Sequence, residues 1–257
     1  MKPGCLHRLG GSGVVRNWTH WLLKVQLFWL LLALAAGLGF RAALLPWRPA
    51  MTAVALAGCG LVLTGFFSLL VLYAFLRANR RGSGRHCLLA VALSLPALAC
   101  ALWLGVQGSK VPPIHDITTD TDTPPSFFAA SGLRQAGDNS LQYPGRAVAE
   151  QQRRAYPHIV PLEVPVPPAE AFARSLAVAA RLQWHIVGQD QGQGRIEAVS
   201  RTRVFGFADD IVIRITAAPT GSRIDLRSAS RAGVSDLGVN AQRIRDFRQT
   251  FTKLQPD

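Results

Sequence analysis

Three long apolar runs lie within the first 110 residues, and they restrict the fold more than any other feature of the chain. Crossing the hydrocarbon of a bilayer takes about 20 residues. Trp21–Phe40, Ala50–Leu76 and Cys87–Gln107 each reach that length, and the second is uncharged throughout. Lys24 lies close enough to the start of the first run for its ammonium to reach water. Pro96 falls mid-span in the third, where neighbouring groups can satisfy the carbonyl it frees. Trp18, Trp21, Trp47 and Trp103 stand near the expected ends, where indole rings favour the interface. The runs predict three transmembrane helices at about 21–40, 50–76 and 87–107, within a membrane part spanning 1–109.

The charge distribution divides the chain at the same place. All 15 acidic residues follow Ser109, whereas the first 109 residues hold ten Lys and Arg, or +10 of the net +13. The high pI of about 10.9 thus belongs to the membrane part. A basic pI often signals nucleic acid, but here topology accounts for it and no nucleic acid is expected. Lys2, Arg8, Arg16 and Lys24 flank the N-terminus, and Arg77, Arg80, Arg81 and Arg85 fill the second loop. The first loop has only Arg41 and Arg48. Positive charge stays on the cytoplasmic side. The expected orientation therefore has the N-terminus in, the first loop out, the second in, and residues 108–257 outside the bacterial inner (cytoplasmic) membrane. A competing expectation is that the first run is a cleaved signal peptide, with Ala33-Leu34-Ala35 as its small-residue site. Both place the C-terminal part outside the cytoplasm. That part contains no cysteine, since Cys5, Cys59, Cys87 and Cys100 all precede it, so it offers neither a disulfide nor a thiolate zinc site.

Residues 110–158 show little apolar periodicity. Pro112-Pro113, Pro124-Pro125 and the turn-rich 137–140 read as an irregular arm with a short helix at Ala147–Ala155. From 159 to 257 an α+β domain is expected. His158–Val166 reads as an edge strand carrying Pro161 and Pro165. A helix follows at 168–182, with Phe172, Leu176, Ala179 and Leu182 on its apolar stripe. Strands are expected at Trp184–Val187 and Arg195–Val204. Asp210–Ala217 and Ser222–Ser230 form a hairpin in which Arg214 faces Asp225 and Ile213 faces Leu226. A helix at Val239–Leu254 buries Ile244, Phe247, Phe251 and Leu254, with Asn240 as a cap near its start. The order β-α-β-β-β-β-α predicts an antiparallel sheet with both helices on one face.

HDITTDTDTPPSF at 115–127, VFGFADDIVIRI at 204–215 and IDLRSASRAGVSDLGVNAQRIRDF at 224–247 together resemble domain of unknown function 1499, in the version preceded by membrane helices. The resemblance covers most of 111–254. It implies a domain boundary and the importance of these three stretches, and it brings no catalytic residue with it.

Each stretch offers candidate chemistry. His115, Asp116, Asp120 and Asp122 are four metal-ligand types within eight residues, which admits a divalent cation. The calcium-loop pattern fails, however, because Pro124 and Pro125 occupy its fifth and sixth positions. Otherwise the stretch is a stiff loop whose acids meet arginines in 205–236. Asp209 and Asp210 point to opposite faces of a strand, so ion pairing suits them better than joint acid–base work. Arg214, Asp225 and Asp236 are ion-pair candidates too, with Asp210 expected near Arg227. Arg227, Ser228, Ser230, Arg231 and Asn240 precede or open a helix and are the candidate anion site. G-x-S-x-G and H-E-x-x-H are both absent. The expectation is a binding or interaction module at the cell envelope that needs no cofactor. Its partners would be the lipid bilayer and an envelope lipid, glycan or another membrane protein. Two alternatives stand: a metal-dependent hydrolase of envelope lipids or glycans, and a carrier of an apolar or anionic lipid ligand.

Overall fold

The computed structural model describes residues 12–78 and 84–254, so Lys2, Cys5, Arg8, Arg80 and Arg81 lie outside the described residues. The chain forms two compact units, 1–105 and 106–257. The first is helical: α1 (Ser12–Arg41), α2 (Trp47–Arg77) and the greater part of α3 (Arg85–Lys110). All three are long and apolar enough to cross a membrane. Small residues bring α2 close to its neighbours. A side chain at Gly60 would run into the Trp29 ring, and one at Gly65 into Ser94. The buried Gln26 side chain donates its N–H to the Leu61 carbonyl at 3.1 Å, giving that donor a partner that lipid could not.

The second unit is an α/β domain. Six strands make one antiparallel sheet: β1 (Asp116–Thr118), β2 (Leu162–Val164), β3 (His185–Asp190), β4 (Arg195–Arg201), β5 (Ala208–Ala218) and β6 (Gly221–Ser230). The spatial order is β1-β6-β5-β4-β3, and β2 pairs with the same edge of β6 as β1, farther along. The helices are α4 (Arg146–Ala155), α5 (Pro168–Arg181) and α6 (Val239–Lys253). In the hairpin, Ala217 pairs with Ser222, Arg214 with Asp225 and Ile213 with Leu226. That register follows from a two-residue side-chain period anchored by a tight turn.

One face of the sheet carries the core. Ile196, Ile211, Ile213, Ile224 and Leu226 are buried against Phe172 of α5 and Ile244, Phe247 and Phe251 of α6. Leu176, Leu182 and Leu254 pack on its margin. Residues 110–158, which read as irregular, supply β1 and then cover the opposite face. Val212 on that face is only 1% exposed, although its neighbours Asp210 and Arg214 suggest a wetted surface. Strand limits move in two places. β3 continues through Gly188 to Asp190 by means of a bulge, because Phe128 and Ala129 lie against Gly188 and leave no room for a side chain. β4 stops at Arg201, where Thr202 binds Phe207 and Gly206 across a turn.

Candidate functional site

The arm is held to the sheet by buried charge. Arg227 sits at its centre. Its guanidinium grips Asp116 through two bonds, at 3.0 and 2.8 Å, and donates to the carbonyls of Pro125 and Leu141. The rings of Phe127 and Tyr143 lie 4.9 and 5.4 Å from it, on residues the arm brings in. Burial pushes the Tyr143 phenol up to about 12, and the Asp116 charge adds to that effect. Asp120 performs a second clasp, accepting from Arg214 and Arg223 at 3.0 Å each. The same two arginines also hold Asp225, at 2.8 and 3.2 Å. Burial alone would raise the Asp120 carboxyl. The backbone and hydroxyl of Thr123, the backbone of Asp122 and the Arg223 charge outweigh it, so the carboxyl lies below its ordinary range.

Glu197 is the third clasp. It is fully buried in β4 and accepts the backbone N–H groups of three successive arm residues: Phe128, Ala129 (2.9 Å) and Ala130 (2.7 Å). Burial pushes its carboxyl upward while these three bonds pull the other way. Nothing in the sequence reading singled out Glu197. The available signal was a lone acid inside the apolar run Ile196–Val199, a place where a charge must find partners. Gln152 of α4 makes the last attachment: its amide both accepts from and donates to the Thr118 backbone, extending the edge of β1 as a further strand would.

On the helix side, Asp209 pairs with Arg243 at 2.6 Å. Arg243 also donates to Ser228 and Asn240. Asn240 donates to Ser230 and to the His115 carbonyl, and Ser228 donates to Asn240.

Several expectations change in detail. Asp210 meets Arg134 and Arg231, at 2.8 and 2.6 Å, not Arg227. Ala229 is its cross-strand neighbour, and the arm supplies Arg227 with Asp116 instead. Asp236 forms no ion pair among the described residues. It caps α6 by accepting from the N–H groups of Gly238 and Asn240 at 2.8 Å each, the role read for Asn240. Its burial raises its carboxyl. The five anion candidates do not converge, because strand alternation sends Arg227 to the arm face and Ser228 and Ser230 to the α6 face. Nor do the metal candidates converge. Asp116 and Asp120 serve different arginines, His115 contributes its backbone, and the Asp122 side chain is 92% exposed. Among the described residues no three of His, Cys, Asp and Glu are placed to hold a metal ion.

A groove lies open at one end of the sheet. It consists of two contiguous depressions sharing Leu182, Gln183, Ser200 and Arg203. The larger, about 610 Å³, adds His185, Arg201 and Arg231 and has no acid in its lining. The smaller adds Arg181, Arg243 and Asp246. Arg231 and Arg134 share the single carboxylate of Asp210, which leaves cationic character at the groove wall. Open and polar, the groove differs from the apolar cavities that enclose drug-sized ligands.

The chain is thus a membrane protein bearing an α/β domain outside the bilayer, with a cationic groove and with buried charges that meet partners inside the domain. The family described as protein of unknown function (DUF1499) matches residues 116–251, more than half of the chain, and the chain belongs to that family. No curated protein matches it.

Proposed function

We propose that this protein is a binding module of the cell envelope, anchored in the bacterial inner membrane, with its N-terminus cytoplasmic and residues 108–257 outside. The excess of Lys and Arg at the N-terminal flank and in the second loop supports that orientation. The groove is its binding site, and an anion is its ligand: a phosphate ester or a sugar acid of envelope lipid or glycan. One observation carries this reading. The buried acids and arginines of the domain are engaged by internal partners, whereas the exposed Arg201 and Arg203 line, together with Arg231 and His185, a groove whose larger part has no carboxylate in its lining.

The metal-dependent hydrolase fares worse, since its ligands are dispersed and engaged as ion-pair partners. A carrier of an apolar ligand needs room between sheet and helices, where Ile196, Ile213, Leu226, Phe247 and Phe251 fill the space. The test is calorimetric titration of the full chain in detergent with inorganic phosphate and with glucuronate. Replacing Arg201 and Arg203 together by Gln should weaken binding about tenfold or more, the worth of a charge-assisted hydrogen bond. If neither anion binds, or if the double variant binds as well as the parent, the groove is not an anion site.

A further inference from the structure

This inference rests on the reading of the groove as an anion site and names the source of the anion. We propose that the groove end of the sheet is a lipid-contacting face, and that its anion is the headgroup phosphate of an anionic phospholipid in the leaflet from which the chain emerges.

Chain length gives the first argument. The last apolar helix ends at Lys110, and Ile114 is already fixed in the domain, buried and accepting the Asp236 N–H at 3.1 Å. Four extended residues span at most about 14 Å. The covalent chain therefore lets Ile114 lie no farther than that from the end of the helix.

Strand direction says what surrounds it. β1 begins beside the end of β6, with Asp116 opposite Ala229, and the end of β6 lies beside the start of β5, with Ser230 opposite Asp209. The end of β4 is next, with Arg201 opposite Ala208. The 202–207 loop, the 231–238 segment and the groove consequently share the end of the sheet at which the chain enters. The turn at Pro219–Thr220 lies at the other end of the 11-residue β5, about 33 Å away at the usual rise of a strand.

Side-chain chemistry gives the second, independent argument. Beyond Lys110, five large hydrophobic residues among those described are strongly exposed: Leu133, Val160, Val204, Val234 and Val239. Four of them belong to this end, and the two loop tips are the most exposed, Val204 at 74% and Val234 at 78%. Arg201 and Arg203 precede Val204, and Arg231 precedes Val234. No acid occurs in 202–207, and the Asp236 carboxylate is taken up by the start of α6. Apolar tips preceded by basic residues are a composition that enters an anionic interface, the tips reaching acyl chains while the guanidiniums meet phosphate.

The test uses the full chain, its four own cysteines replaced by alanine, with an environment-sensitive fluorophore on Val204→Cys, Val234→Cys or, as the distant control, Thr220→Cys. Each is reconstituted into nanodiscs of pure phosphatidylcholine and of phosphatidylcholine with one-third phosphatidylglycerol. The expected result is shielding from an aqueous quencher at 204 and 234 in the anionic discs, several-fold stronger than at 220, and reduced in zwitterionic discs. Equal quenching at 204, 234 and 220 in anionic discs would overturn the lipid contact. Phosphate titration in detergent separates the two readings. Phosphate binding that depends on Arg201 and Arg203, with the tips still open to quencher, keeps the groove and discards lipid as its source. Shielded tips without phosphate binding would keep the membrane contact and discard the headgroup as the groove's anion.

Discussion

Replacing Glu197 by alanine tests how the arm is held. The change strips three successive backbone N–H groups, those of Phe128, Ala129 and Ala130, of the carboxylate that accepts them. Each buried donor left unmatched costs about 1–3 kcal/mol. Removing the carboxylate also relieves its own burial, and the arm can swing its amides toward water, so the lower end applies, about 3 kcal/mol in all. At about 1.4 kcal/mol per factor of ten, that is roughly a hundredfold faster opening of the arm. The assay is amide hydrogen exchange on the full chain in detergent, which resolves local from global opening. Amides of 128–130 should exchange about a hundredfold faster, while those pairing β5 with β6 change little. Glu197→Gln, which keeps one acceptor oxygen, should fall between. Unchanged exchange at 128–130, or an equal loss in the β5–β6 hairpin, would refute the assignment of Glu197 as the arm's anchor.

Three further outcomes follow from the same geometry. Asp116→Ala leaves the Arg227 charge buried and unpaired and should cost about 3–5 kcal/mol in chemical denaturation, whereas Asp116→Leu with Arg227→Met should recover most of it. Asp120, whose carboxyl is held below its ordinary value of 3.8, contributes stability that is present above that pH and lost as pH falls through the lowered value. Asp120→Asn should therefore flatten the fall in stability below pH 3.8, measured by thermal unfolding. Ca²⁺, Mg²⁺, Mn²⁺ and Zn²⁺ added after EDTA should leave the unfolding temperature in place. A genuine site at 100 times its Kd would add about 2.7 kcal/mol, a rise of roughly 5–10 °C that would revive the hydrolase.

What was legible in the sequence was written in local periods. Three long apolar runs read as membrane helices, because a helix satisfies its own backbone while presenting that many successive apolar side chains to lipid. The hairpin register followed from Ile211, Ile213 and Ile215 alternating against Ile224 and Leu226 across a short turn. The stripes of α5 and α6 named the core residues that the fold buries, Phe172, Ile244, Phe247 and Phe251. The general idea that acids of 115–125 meet arginines of 205–236 was also readable, from composition alone.

The partners themselves were not readable. Asp116 and Arg227 are 111 residues apart, and no local pattern encodes which arginine an acid will find. Alternation in β5 and β6 correctly separates two faces, but Asp210, Val212 and Arg214 look the same whether water or an arm lies over them. Only the folded chain decides that the second face is covered, and with it why Glu197 stands in an apolar strand. The groove is likewise a product of topology. His185, Arg201, Arg203 and Arg231 come from three separate stretches, and they meet because antiparallel pairing brings the ends of β4 and β6 and the start of β3 to one end of the sheet. Sequence thus set the elements and the membrane, through interactions among near neighbours. Tertiary structure chose which charges meet inside the domain and which line the groove, because that choice depends on residues far apart in the chain.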